Sequence, residues 1–143
     1  YYVPTISAGM FVAEKAKQKG YYPQIIVPKA LEIGPRLLNT FTTAYKFGIK
    51  IAFGTDSGVS YHGDNAKEFF YMVKGGMSEM EAIRSATVIA SEMLNINDKL
   101  GSIESGKLAD LIAVKGNPVK DITFLQEVVF VMKEGKIYKS NLN

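Results

Sequence analysis

One acidic side chain in this sequence stands where a carboxylate could do chemistry. It closes the run Ile49-Lys50-Ile51-Ala52-Phe53-Gly54-Thr55-Asp56-Ser57-Gly58, an apolar stretch that ends on Asp56 and a glycine-bearing turn. Side chains alternate between the faces of a strand, so Ala52, Gly54 and Asp56 share one face and Ile51 and Phe53 the other. The first face is small and ends in an acid; the second is bulky and apolar. Such a layout suits a parallel barrel strand whose lumen is crowded near the mouth and whose outer side packs on helices. Reacting groups in barrels of that kind lie at the C-terminal ends of strands, which is where Asp56 falls. On local pattern alone it is either a catalytic carboxylate or a turn residue capping a loop.

The remaining chemical inventory is thin: one histidine, His62, and no cysteine in 143 residues. Hydrolytic metal sites are built from several histidines with carboxylates, so Asp56 and His62 cannot close one unaided. The lack of cysteine excludes disulfide staples, thiolate zinc sites and a cysteine nucleophile. A serine triad would have to route every candidate serine through His62. Any chemistry therefore needs groups from elsewhere.

Length and an apolar fraction of 47% fit one globular domain or a piece of one. No apolar run approaches the roughly 20 residues that cross a bilayer, and no signal peptide opens the chain; a cytoplasmic location and no membrane partner are expected. The net charge of +3 comes from scattered lysines, with Arg36 and Arg84 the only arginines. Nucleic-acid footprints are clustered and rich in arginine, so this basicity predicts a solvated surface and no nucleic-acid partner. The opening Tyr1-Tyr2-Val3-Pro4-Thr5-Ile6 has the character of a buried strand's middle, which leads us to expect an N-terminal truncation.

The elements that would hold Asp56 follow from periodicity and punctuation. Met10, Phe11, Ala13 and Ala16 predict a helix over 9–19, stopped by Gly20. Residues 28–47 carry an apolar stripe of Leu31, Leu38, Phe41, Ala44 and Tyr45, with Gly34-Pro35 expected to kink or divide the helix and Gly48 to end it. After a polar loop over 57–64, a short helix is expected over 65–74, closed by Gly75-Gly76. A helix over 78–94 opens on a Ser78/Glu81 capping box and carries Ile83, Ala86, Ala90 and Leu94 at helical spacing. The alternation of strands and helices predicts an α/β architecture.

Beyond residue 100 the pattern changes to short β runs: 110–114, stopped by Gly116-Asn117-Pro118, then 128–132 and 136–139 around a Glu134-Gly135 hairpin turn. Three short strands have too few partners for a stable sheet, so this tail is expected to be part of a larger β layer.

Taken together, these motifs resemble the C-terminal third of the amidohydrolase superfamily, in its imidazolonepropionase-like and Xaa-Pro dipeptidase-like branch. Gly54-Thr55-Asp56 is similar to the eighth barrel strand of that superfamily, and Val3-Pro4-Thr5 to the seventh. The stretch Leu100-Gly101-Ser102-Ile103-Glu104-Ser105-Gly106-Lys107-Leu108-Ala109-Asp110-Leu111 resembles the passage from the barrel into a small β-sandwich. Val131-Met132-Lys133-Glu134-Gly135-Lys136-Ile137 resembles the closing hairpin. The resemblance implies a division into 1–99, the C-terminal part of a (β/α)₈ barrel with its seventh and eighth strands, and 100–143, the C-terminal strands of a composite β-sandwich.

It also implies a site holding one or two metal ions, Zn²⁺ being the expected metal. Asp56 would be both metal ligand and proton shuttle, and the other ligands would lie on strands this chain does not contain. His62, in a His62-Gly63-Asp64-Asn65 stretch similar to that of the branch, is either a substrate contact or proton relay, or a surface-loop histidine without a role. Tyr61 and Ser57 are weaker candidates beside simple loop packing, and Thr55 is expected to brace Asp56 through its hydroxyl. The reaction implied is hydrolysis of a C–N bond in an amide, dipeptide-like or other small-molecule substrate. A deaminase of a cyclic amidine or nucleobase, and a non-catalytic structural module, are the alternatives. Exposed strand edges and apolar helix faces are expected to make the isolated chain associate with itself or with the missing N-terminal part.

Overall fold

The computed structural model describes residues 1–141; the last two residues of the expected 100–143 unit lie outside the described residues. The helices are α1 (Ile6–Lys15), α2 (Val27–Lys46), α3 (Lys67–Lys74), α4 (Glu79–Ala86) and α5 (Val88–Met93). The strands β1 (Leu111–Val114), β2 (Val128–Lys133) and β3 (Lys136–Ser140) follow, with a 3₁₀ turn at Ile122–Gln126 before β2. This is an α/β fold of helices with a three-stranded antiparallel sheet. No helix among the described residues is long and apolar enough to cross a membrane.

The two strands expected near Tyr2 and Ile51 are present as one parallel bridge between those residues. The Tyr2 amide donates to Lys50 O at 2.9 Å and the Ala52 amide to Tyr2 O at 3.0 Å, the slanted pairing of a parallel ladder. Ile51 and Ala52 are both buried, so the bulky and the small side of this segment are equally removed from solvent. A Cβ at Gly54 would collide with the Val3 side chain, which explains why the small face has glycine there.

Helix α2 runs unbroken through Pro35, against the expected kink or division. Pro35 falls on the exposed side, so the carbonyl of Leu31, deprived of its helical donor, lies toward water. The buried side holds Gly34, whose missing side chain lets α2 approach α1 so closely that a Cβ would lie 2.9 Å from Gly9 O and 2.7 Å from Met10 Sδ. The helix expected over 78–94 instead divides at Thr87 (φ −121°, ψ −92°). Its capping box is formed, but the Ser85 carbonyl accepts from the Phe53 amide at 3.0 Å instead of continuing the helical ladder. Ser85, Thr87 and Ser91 hydroxyls all bond back to carbonyls one turn earlier, at 2.6–2.9 Å, which weakens a helix at such a break.

The core gathers Ile6, Phe41, Ile51, Met72 and Ala82 from the helices and the bridge, Met77 from the turn between α3 and α4, and Ile122 and Leu125 from the 3₁₀ turn. That turn had no periodic signal in the sequence, being five residues long. In the sheet, order β1-β2-β3, Ile112 pairs with Val131 and Val131 with Lys139. Glu134 and Gly135 both have positive φ (51° and 77°), as a type I′ hairpin turn demands. The turn is tied down where the Glu134 amide donates to Asp110 Oδ1 at 2.7 Å.

Gly34 gives a direct test of the α1–α2 contact. Alanine would gain about 1 kcal/mol in intrinsic helix propensity, but overpacking against backbone atoms costs about 1–3 kcal/mol. We expect Gly34→Ala to lower the thermal unfolding midpoint; a raised midpoint would show that the helices have room to part.

Candidate active site

Asp56 stands where the chain, past buried Ile51 and Ala52 and half-buried Phe53, opens into a loop. Its backbone is left-handed, φ 49°, a conformation that aspartate tolerates better than most residues but still at a cost of about 1 kcal/mol. The Val59 amide donates to its carbonyl at 3.2 Å. This turn throws the carboxylate outward: Asp56 is exposed, and among the described residues its side chain takes part in no hydrogen bond or ion pair. Behind it, Phe53 stacks on Phe69 of α3 with ring centres 4.2 Å apart.

The hydroxyl of Thr55, expected to brace Asp56, instead accepts from Asn65 Nδ2 at 3.2 Å. The Asn65 side chain also accepts from the Gly63 amide at 3.2 Å. One amide side chain thus staples the two ends of the Asp56 loop. Nothing local to Asn65 signals this role, which exists only once the closed loop brings Thr55 and Gly63 to it. His62 is exposed, with Nδ1 3.5 Å from Ser57 Oγ, the outer limit of a hydrogen bond. No hydrogen bond joins His62 to Asp56 among the described residues. Tyr61 packs edge-on against Phe11, centres 5.3 Å apart and planes at 83°.

A second carboxylate, not singled out by sequence, sits beneath this loop. Glu68 on α3 is fully buried. Its two oxygens accept from the Ile6 and Ser7 amides at 2.8 and 2.7 Å. These amides are orphan donors of the first turn of α1, whose N-cap residue Thr5 is left-handed and offers no side-chain cap. Burial raises the Glu68 carboxyl above its ordinary value, opposed by the hydrogen bonds from Ser7 and Ile6. Tyr2 and Tyr71 are also held up, by burial first; the Glu68 charge adds to both, and Glu14 and Lys67 act on Tyr71 as well. The only signal in the sequence was an acid beside the aromatic pair Phe69-Phe70 on a predicted helix.

Among the described residues no group of three or more His, Cys, Asp or Glu side chains could hold a metal ion. Asp56 by itself offers one hard oxygen donor. A cavity of about 610 Å³ lies elsewhere, lined mainly by apolar residues of α4, α5, the 96–103 turn and β1, including Ile83, Leu94, Ile103 and Ile112. It contains neither Asp56 nor His62. Its polar lining is Asp110 with the hydroxyls of Thr87, Ser91 and Ser102, which are bonded to Ile83 O, Val88 O and Lys107 Nζ.

The chain belongs to the Amidohydrolase family, whose sequence profile matches residues 2–138. It is similar to a Xaa-Pro dipeptidase whose crystal structure has methionine bound in the active site: 60% identity, TM-score 0.93, covering 98% of this chain and 34% of that one. The crystal structure of the Aspergillus niger ochratoxinase aligns over 99% of this chain and 32% of its own, with 31% identity and TM-score 0.76. Curated ochratoxinase from the same species is 38% identical over 107 residues, 71% of this chain and 22% of the relative. The chain therefore spans about a third or less of the length of these relatives.

Glu68 predicts an unusual pH response. A carboxyl whose folded value is raised contributes stability that is fully present below its unfolded value, near 4.5, and is lost as pH rises through the folded value. The stability difference between wild type and Glu68→Gln should therefore shift against wild type as pH climbs from 4 toward neutrality. Urea titrations at several pH values measure it; a difference that moves the opposite way would show that the amide hydrogen bonds outweigh burial.

Proposed function

We propose that the whole protein hydrolyses a C–N bond in a dipeptide or related N-acyl amino acid, with Asp56 as the carboxylate that handles the proton. The observation carrying this reading is the Asp56 side chain, without a hydrogen-bond or ion-pair partner among the described residues, just beyond the buried pair Ile51 and Ala52 and on a left-handed backbone. The names of the relatives, a Xaa-Pro dipeptidase and an ochratoxinase, support the substrate class. In this reading, segments 1–5 and 49–56 are the seventh and eighth strands of a (β/α)₈ barrel, and Asp56 lies at its C-terminal mouth.

We further propose that the site takes one or two metal ions, with zinc the expected metal. Asp56 fits one ligand position, as an exposed carboxylate with no other partner among the described residues, and the remaining ligands would come from outside this chain. A bound metal lowers the pKa of water to about 7 and polarises a carbonyl. What this chain supplies is the base: Asp56 accepts the proton of the attacking water and returns it to the leaving nitrogen. In this reading His62, on the loop that follows, contacts the substrate. The apolar cavity beside β1 and α5 and the exposed Ile103 and Phe47 support association with the rest of the whole protein or with another copy.

Asp56→Asn keeps the shape of the side chain and removes its basicity. In the whole protein it should lower the rate of dipeptide or N-acyl amino acid hydrolysis by at least about a hundredfold; substantial retained turnover would sink the role. Dialysis against a chelator should abolish the same activity and added Zn²⁺ restore it, whereas indifference to chelation would remove the metal from the mechanism. Ammonia release from nucleobases, with amides untouched, would favour deamination.

A further inference from the structure

Lys15, in the last turn of α1, has its Nζ 5.3 Å from the ring centre of Phe11 and 5.5 Å from those of Tyr21 and Tyr61. The rings come from three separate places: α1 itself, the turn after it, and the loop after Asp56. A cation shared among aromatic faces at these distances is attracted to each, so Lys15 draws the three segments to one point. Tyr61 also makes the edge-on contact with Phe11, a favoured aromatic geometry.

Apart from the bonds between Asp64 and Lys67, the first residue of α3, the 57–64 loop makes no hydrogen bond to a helix among the described residues. Every hydrogen bond it makes among the described residues stays within 55–67: Gly58 to Ser60, Val59 to Asp56, Asp64 to Tyr61, Gly63 to Asn65, Ser57 to His62, and Lys67 to Asp64 through both amide and ammonium. Gly58 and Gly63, with φ 118° and 98°, bracket the stretch 59–62. Between them Tyr61 is 62% exposed, yet it is the residue that reaches α1. A tyrosine so open to water gains little from burial, so its seat on Phe11 and Lys15 needs another account.

We propose that Tyr61 is a positioning residue: seated on Phe11 and beneath the Lys15 charge, it latches the 57–64 loop and sets His62 over the Asp56 mouth for substrate binding. The inference rests on reading Asp56 as the reacting carboxylate. The latch acts through the ring, since the Tyr61 hydroxyl makes no hydrogen bond among the described residues, so phenylalanine should serve in its place.

The test compares wild type, Tyr61→Ala, Tyr61→Phe and Lys15→Met in the whole protein by amide hydrogen exchange over 57–64 and by dipeptide kinetics. Losing an edge-on aromatic pair and a cation–π contact should speed exchange of the Val59, Gly63 and Asp64 amides and raise KM, each by about tenfold in Tyr61→Ala. kcat should change much less. Lys15→Met should show a smaller change of the same kind, and Tyr61→Phe should match wild type in both readouts. Wild-type exchange or wild-type KM in Tyr61→Ala overturns the proposal, as does a Tyr61→Phe variant as impaired as the alanine. Should wild type hydrolyse no dipeptide or N-acyl amino acid, the proposed function fails and exchange alone decides the latch: faster in Tyr61→Ala and restored in Tyr61→Phe supports it, unchanged overturns it.

Discussion

The buried carboxylate of Glu68 closes the ring on which the Asp56 region is built. From α3 it reaches back across 62 residues of sequence to the first two amides of α1. Those amides follow directly on the segment whose Tyr2 bridges to Ile51. The chain then leaves Ile51, passes Asp56, loops through 57–64 and returns in α3 to Glu68. Both ends of the Asp56 loop are thereby fixed to the same short segment, residues 2–7. Energetically the contact is close to balanced. Removing a carboxylate from water costs several kcal/mol, while two charge-assisted hydrogen bonds return about 1.5–3 kcal/mol each and the helix N-terminus adds up to about 2 kcal/mol. Its consequence is therefore geometric more than stabilising: it determines where α1 starts and where α3 lies.

Within that frame the loop is shaped by small polar devices. Asn65 ties Gly63 to Thr55, the left-handed turn at Asp56 directs its carboxylate outward, and Phe53 on Phe69 holds the base of the loop against α3. Each device spends a polar or aromatic group on position and leaves the Asp56 oxygens uncommitted. A carboxylate meant only to cap a turn would be expected to accept a nearby backbone amide, as Asp121 does from Thr123 at 2.9 Å. Asp56 does not.

The sheet shows a related economy at its edges. Lysines at 136 and 139 line the outer strand β3, where charge discourages further pairing. The opposite strand, Leu111-Ile112-Ala113-Val114, carries no charge and borders the apolar cavity. One side of the sheet is thus protected against other strands and the other side is not.

What the sequence by itself determined were the features encoded by near neighbours. The capping box at Ser78 and Glu81, the Gly75 helix end, the hairpin at Glu134-Gly135 and the position of Asp56 at the close of an apolar run all depend on residues within a few positions. The family motifs were legible for the same reason, as short continuous strings. Tertiary structure decided what depends on distant partners. Pro35 stays within one helix because it falls on the side away from the Gly34–Gly9 contact, the 78–94 helix divides because Ser85 is bonded to Phe53, and Thr55 turns to Asn65 once the loop closes. Glu68 is the clearest case: an acid on an aromatic helix looks like a solvated charge until the start of α1, 62 residues earlier, presents two amides that lack any other acceptor. Periodicity and local propensity describe a chain's own turns, whereas a hydrogen bond across the fold exists only when both partners have already been placed.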